Sequence, residues 1–428
     1  MAFDLLRKTR FFALASMLAL SSGAAMGCST EAADDAAPGD GASTDDITGV
    51  NQAKVKRQSI GNCWLYATTS WLEALNKEAT GVESNTSESW LTYWHWYDQI
   101  VNGFFGEELS TGGSWGVAVN IISRYGITLE KDFIAAEAES EMSSRQSSAL
   151  DTMNREIKEG RLKDSAARRD RKLVRQVMDE AWGLDQATRT KLDTVFGRGV
   201  EKTLDRAYTT TAPGNGIIRA QDFPATLVDP TTKQKVKVTL ADAMGTGSSW
   251  GPRSGKLAWN EADYPRDAAG RRAFLKRVQK ALHDNQPVIM SWRVDFNALT
   301  QDSHFSLTEL QRRGPGRQGG HMVVAHDYQA NVPGVGVLKA GETATKEQME
   351  KALADATQIE FIRIKNSWGG IRPDRWQNAA IAGYHDLEMG YLNGPIKQCP
   401  ETHSGNPDPK TCTTDTVPLW DVVLPAGY

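Results

Sequence analysis

Hydrophobic and polar positions fall into blocks along the chain, and each block predicts an element. Residues 11–20 are almost wholly apolar, follow Arg7, Lys8 and Arg10, and lead into small residues. This is the layout of an export signal. Past the first thirty residues no apolar run nears the roughly 18 needed to cross a bilayer. Residues 29–49 are acidic, rich in Ala and Gly and free of aromatic side chains, the composition of a disordered tether. Small and polar residues up to Asn62 then predict a loop; after Cys63, the residues Leu65, Trp71, Leu72 and Leu75 share one face of a helix. Residues 150–182 are charged and helix-favouring, with Leu173, Val174, Val177, Met178 and Ala181 forming an apolar stripe. Phe274, Leu275, Val278 and Leu282 predict a helix over 271–283, followed by a strand at 286–292. Further on, His321 opens the apolar strand Met322-Val323-Val324, and Asn366 ends an alternating strand that starts at Ile362. The stretch TKEQMEKALADA between them reads as a helix.

Composition narrows the choices. A chain of 428 residues holds two or three domains, or one domain with a large insertion. With 40% hydrophobic and 24% charged residues it is a globular protein, not a disordered one. Lys and Arg total 49 against 53 for Asp and Glu, so there is no basic excess that would point to nucleic acid. Ala25-Met26-Gly27-Cys28 resembles a bacterial lipobox. That resemblance implies lipidation of Cys28 and an exported cell-envelope lipoprotein, touching the membrane through its lipid anchor only. Ser29 at the next position implies the outer membrane of a Gram-negative bacterium.

An exported chain meets an oxidising compartment, so Cys399 and Cys412, thirteen residues apart around a polar, Pro-rich loop, are expected to pair. In the chain-entropy model so short a loop adds about 3 kcal/mol. Cys63 is then left over, and an unpaired thiol in an exported protein draws attention to itself. The seven histidines are scattered and no CxxC or HExxH spacing occurs, so neither a metal nor another cofactor is expected.

Cys63 falls in the first turn of its predicted helix. The positive end of the helix dipole there lowers a thiol's pKa, and backbone N–H groups can hold an oxyanion. A small buried core cysteine is the plain alternative. The surrounding string, Gln58 through Gly61-Asn62-Cys63-Trp64-Leu65-Tyr66-Ala67, is similar to the nucleophile motif of papain-like cysteine peptidases. Gly319-Gly320-His321-Met322-Val323-Val324 and Asn366-Ser367-Trp368-Gly369-Gly370 resemble the same family's His and Asn motifs, in the family's order. The resemblance implies a peptidase acting on peptide or protein substrates through a thioester. In it Cys63 is the nucleophile, His321 the base, Asn366 the group that orients the imidazole, and Trp368 its shield. His326 is turned to the opposite strand face and His95 lies within the aromatic run Tyr93-Trp94-His95-Trp96-Tyr97, so both are expected to pack.

Two features depart from the papain pattern. Gln58, the expected oxyanion-hole donor, stands five residues before Cys63 rather than six, with Arg57 in the usual place. Cys63 and His321 are also 258 residues apart (from 63 to 321), against about 130–150 in the pattern, which requires an insertion. Its charged helical block, then IIRAQDF, together with Gly112-Gly113-Ser114-Trp115, are similar to the bleomycin hydrolase (aminopeptidase C) branch. Gly112 and Gly113 are accordingly candidates to pair with substrate backbone, a plain turn being the alternative. In that branch the C-terminal tail lies in the cleft and restricts the enzyme to aminopeptidase work. The expected architecture is α+β, a papain-like two-lobed fold with a helical and a β-rich lobe. Its parts are a signal with lipobox over 1–27, a tether over 28–49 and a peptidase domain over 50–428. A helical insertion at about 140–260 would shape access or oligomer contacts. The rival readings are a papain-fold amidase or acyltransferase on a non-protein substrate, and an inactive surface lipoprotein that binds in its cleft.

Overall fold

The computed structural model describes residues 49–205, 216–371, 377–400 and 407–428, with only the backbone at residue 414. The signal, nearly all of the tether and Cys28 therefore lie outside the described residues.

The helical half is built on α1 (Cys63–Thr80), which is buried nearly all round. Trp64, Leu65, Trp71, Leu72 and Leu75 are each at most 1% exposed, the signature of a central helix rather than a surface one. The helix stops at Gly81, whose φ of 73° is left-handed and suits glycine. Around it pack α2 (Glu88–Asn102) and α3 (Trp115–Tyr125). The predicted charged helices follow as α4 (Arg145–Lys158), α5 (Arg171–Ala181) and α6 (Gln186–Phe196). Their apolar faces, Met153, Val174, Val177, Met178, Leu192 and Phe196, enter the same hydrophobic core as α1. The insertion thus thickens the helical half instead of forming a core of its own. Beyond residue 217 it is no longer mainly helical: Pro224–Val228 pairs antiparallel with Lys235–Thr239, Asp229 Oδ1 accepts the Thr231 and Thr232 N–H groups in the turn between them, and only the short helix Leu240–Met244 follows.

The β-rich half carries α7 (Ala268–His283), which matches the predicted helix, a short antiparallel pair (Ile396–Gln398 with Thr414–Thr416) and one eight-stranded mixed sheet. Its strands in chain order are β1 (Asn260–Asp263), β2 (Val288–Asp295), β3 (His304–Phe305), β4 (Gln318–Val332), β5 (Gly336–Leu338), β6 (Gln358–Lys365), β7 (Tyr384–Glu388) and β8 (Leu419–Leu424). Across the sheet the order is β1-β8-β2-β4-β6-β7-β3, with β5 added on β4; only β7 and β3 run parallel. The helix expected between His321 and Asn366 is Lys346–Ala352. Along β4, Met322 and Val324 point into the helical core while Val323 and Ala325 point into the core on the other face of the sheet. The fold is α+β, with α1 laid against the strand that begins near His321.

Strand β8 lies between β1 and β2. Leu419 pairs with Trp292, itself opposite His321, and Val423 pairs with Ile289. The strand therefore runs away from His321. Tyr428 is held at the far side, its hydroxyl donating to Asp284 and its ring 5.8 Å from the Lys233 ammonium. Unlike the tail of the bleomycin hydrolases, this one completes the sheet. Cys399 and Cys412 form the expected disulfide.

Between the two halves lies a buried charge cluster. Lys56 Nζ donates to Glu73 Oε1 (2.9 Å), Glu88 Oε1 (2.8 Å) and the Thr86 carbonyl (2.9 Å). Lys365 faces the same region and lines a water-sized cavity with Tyr66, Ser70, Met322 and Asn366. Its ammonium has no hydrogen-bond partner among the described residues, and burial pulls it from the ordinary 10.5 down to about 8. Below about pH 8 the ammonium is charged in both folded and unfolded chains, so the full penalty of burying it is present. The penalty fades as pH rises from the folded toward the unfolded value. Lys365→Met is therefore expected to stabilise the protein at pH 7 by on the order of 3 kcal/mol, a gain lost near pH 10.5. Denaturant unfolding at the two pH values checks this; an equal gain at both would refute the account.

Candidate functional site

The three motifs that lie far apart in sequence meet where α1 begins. Cys63 is the first residue of α1, and its Sγ accepts the backbone N–H of Met322 at 3.3 Å. The sulfur is thereby held next to His321. Asn62, just before the helix, does not cap it. Its Nδ2 instead donates to Thr92 Oγ1 (3.0 Å) and Gln146 Oε1 (2.9 Å), tying the loop into the helical half. Cys63 and His321 are 1% and 0% exposed, so both candidate groups are buried in this structure.

His321 Nε2 lies 2.8 Å from Asn366 Oδ1. The same oxygen accepts the Ser367 backbone N–H at 2.8 Å. Because a backbone N–H can only donate, it identifies this atom as the amide oxygen and requires His321 Nε2 to carry a proton. Nδ1 is then the ring nitrogen left to exchange a proton with a thiol. Trp368 stacks on the imidazole, with ring centroids 4.8 Å apart and planes at 21°, and Trp292 covers another side at 6.1 Å.

Gln58 reaches the site through the asparagine segment. Its Oε1 accepts the Ser367 hydroxyl (2.6 Å), its backbone N–H donates to the Ser367 carbonyl (2.8 Å), and its Nε2 donates to the Ile60 carbonyl (2.9 Å). The Gly112-Gly113 loop packs on Trp64. A Cβ on Gly113 would lie 2.5 Å from the indole, so only glycine fits there without movement. Trp64 Nε1 donates to the Thr111 carbonyl (2.8 Å), and Gln99 binds both the N–H and the carbonyl of Ser110. The loop is rigidly seated, as either a turn or a substrate-pairing edge would need.

His95 and His326 behave as packing residues. His95 stands edge-on to Trp64 at 4.9 Å, and burial pulls it down to about 4. His326 sits where β4 slips register against β6, and burial, with Arg363 and Lys365 nearby, lowers it to about 3. His385, which the sequence pattern does not single out, is 1% exposed and touches the site: its Nδ1 lies 3.2 Å from Asn366 Nδ2. A histidine directly after Gly383-Tyr384 is the one signal the sequence carries.

One expectation is corrected. Cys63 does not remain as a free thiol: it is disulfide-bonded in this structure, and no described cysteine is free. Counting cysteines assigned Cys28 to a lipid, and that residue lies outside the described residues. Among the described residues no group of His, Cys, Asp and Glu could hold a metal ion.

No protein-family model and no curated protein matches the chain. Among solved structures it is similar to xylellain, a cysteine protease from Xylella fastidiosa, with 12% identity, 94% of this chain and 95% of that chain covered, and a TM-score of 0.34. It is also similar to the Carica candamarcensis cysteine protease CMS1MS2 solved with E-64, with 15% identity, 87% and 92% covered, and a TM-score of 0.30. Likeness this distant carries no weight for activity, which has to be read from the residues.

Proposed function

We propose that the chain is a papain-like cysteine peptidase whose working form has Cys63 reduced. The observation that carries this reading is the meeting of Cys63, at a helix N-terminus, with a His321 whose Nε2 is engaged by Asn366. Cys63 Sγ attacks the scissile carbonyl while His321 holds the thiol's proton at Nδ1. The C–N bond breaks as His321 passes that proton to the departing amine, leaving a thioester. Water, giving its proton to His321, then attacks the thioester, and the C–S bond breaks to release the acid and restore the thiol. The N–H groups of the first turn of α1 face the developing oxyanion, and the second Nε2 proton of Gln58 is suited to join them. Gly112 and Gly113 offer backbone to an extended peptide.

Cys28 would tether the enzyme to the outer membrane of a Gram-negative cell by its lipid. The tail's course away from His321 favours endopeptidase action over the tail-restricted aminopeptidase action of the bleomycin hydrolases. The test is labelling of the purified protein with an epoxide-type thiol-protease probe, read by intact mass, with and without a thiol reductant. Stoichiometric labelling is expected once Cys63 is reduced, and none in Cys63→Ser. A folded, reduced protein that takes up no label would leave the inactive binding protein as the better reading, and peptide-library digestion separates peptidase from amidase.

A further inference from the structure

The contacts of Asn366 extend past the three residues of the proposed reaction. With its Oδ1 identified by the Ser367 N–H, its Nδ2 is the atom that faces His385 Nδ1 at 3.2 Å. An amide nitrogen is a donor, so His385 Nδ1 has to be the acceptor, bare of a proton, with the ring proton on Nε2. We infer that His385 is a positioning residue: by accepting from Asn366 Nδ2 it fixes the amide so that Oδ1 stays on His321. The inference rests on the peptidase reading of Cys63 and His321.

The backbone holds His385 in place for this role. It pairs with Ile364 in the β6–β7 register, two residues before Asn366, and the Asn366 N–H donates to the Gly383 carbonyl at 3.0 Å. Its ring is wedged between Trp368, edge-on at 5.4 Å, and Phe305 at 5.9 Å. Trp368 therefore packs on both histidines, stacked on His321 and edge-on to His385. The two imidazoles flank one amide, His321 as donor to its oxygen and His385 as acceptor from its nitrogen. An amide held from both ends cannot rotate by half a turn without placing two donors, or two acceptors, face to face.

The test compares His385→Leu, which fills the space with no acceptor, with His385→Asn, whose Oδ1 can occupy the place of Nδ1. The readouts are the rate of Cys63 labelling by the epoxide probe after reduction, and the melting temperature. His385→Leu is expected to slow labelling about tenfold or more, and His385→Asn less than about threefold, whatever their melting temperatures. Equal slowing in both variants, or none in His385→Leu, would overturn the inference. Wild-type protein that fails to label after reduction refutes the peptidase reading itself, so the two failures are distinguishable. Independently, nitrogen chemical shifts of ring-labelled histidine are expected to report Nδ1 of His385 as unprotonated in the wild-type protein; a protonated Nδ1 would overturn the assignment without recourse to mutation.

Discussion

Replacing His321 by alanine is expected to lower kcat/KM for peptide hydrolysis by roughly a thousandfold or more, with the protein still folded. In the proposed reaction the imidazole has two tasks, holding the thiol's proton during attack and returning it to the leaving amine, and neither His326 nor His95 is placed to take them over. His326 is on the other face of β4 and held neutral by burial, and His95 packs on Trp64. Because His321 is fully buried against Trp368 and Trp292, the substitution also leaves a cavity, so circular dichroism has to accompany the kinetics. A reduced, folded His321→Ala enzyme within tenfold of wild type would rule the residue out as the base. Cys63→Ser makes the matching test of the nucleophile.

The largest effect on stability is expected at Lys56. Its ammonium bridges Glu73 and Glu88, whose side chains are 1% and 6% exposed, and it also donates to the Thr86 carbonyl. Burial already raises the Glu88 carboxyl, and the Lys56 charge acts against that rise. Lys56→Met leaves two carboxylates buried with the shared cation gone, which is expected to cost about 3–5 kcal/mol. Chemical denaturation at neutral pH measures it. Lys365→Met should act in the opposite direction, because Lys56 is held by two carboxylates and Lys365 has none within hydrogen-bond reach among the described residues.

Much of the site was legible because local pattern and chemistry coincide in it. Cys63 stands where a polar loop changes to helical periodicity, His321 where glycines give way to an apolar run, and Asn366 just past the end of a strand, so each is marked by a break in pattern. The disulfide between Cys399 and Cys412 followed from their spacing and polar loop. His385 was hidden because it is one more residue of an ordinary strand, and its role depends on the pairing of β6 with β7, which no local string encodes. The Lys56 cluster was hidden for the same reason, since Lys56, Glu73 and Glu88 are unremarkable charges until α1 and α2 pack. The insertion read as a helical addition to the helical half, but its stripe alone does not say which core it enters. The disulfide state of Cys63 lay beyond cysteine counting.

The place of β8 has a consequence for the order in which the protein can be made. Strand β1 joins the sheet only through β8, so residues 260–263 have no seat until residues 419–424 have emerged. A chain synthesised or threaded from its N-terminus carries Cys63, His321 and Asn366 long before it can close the sheet that bears them. Such a partial chain lacks the strand that joins β1 to β2, so the facing edges of both stay unpaired. On the peptidase reading proposed above, the sheet that bears the site is completed only once residues 419–424 have been made.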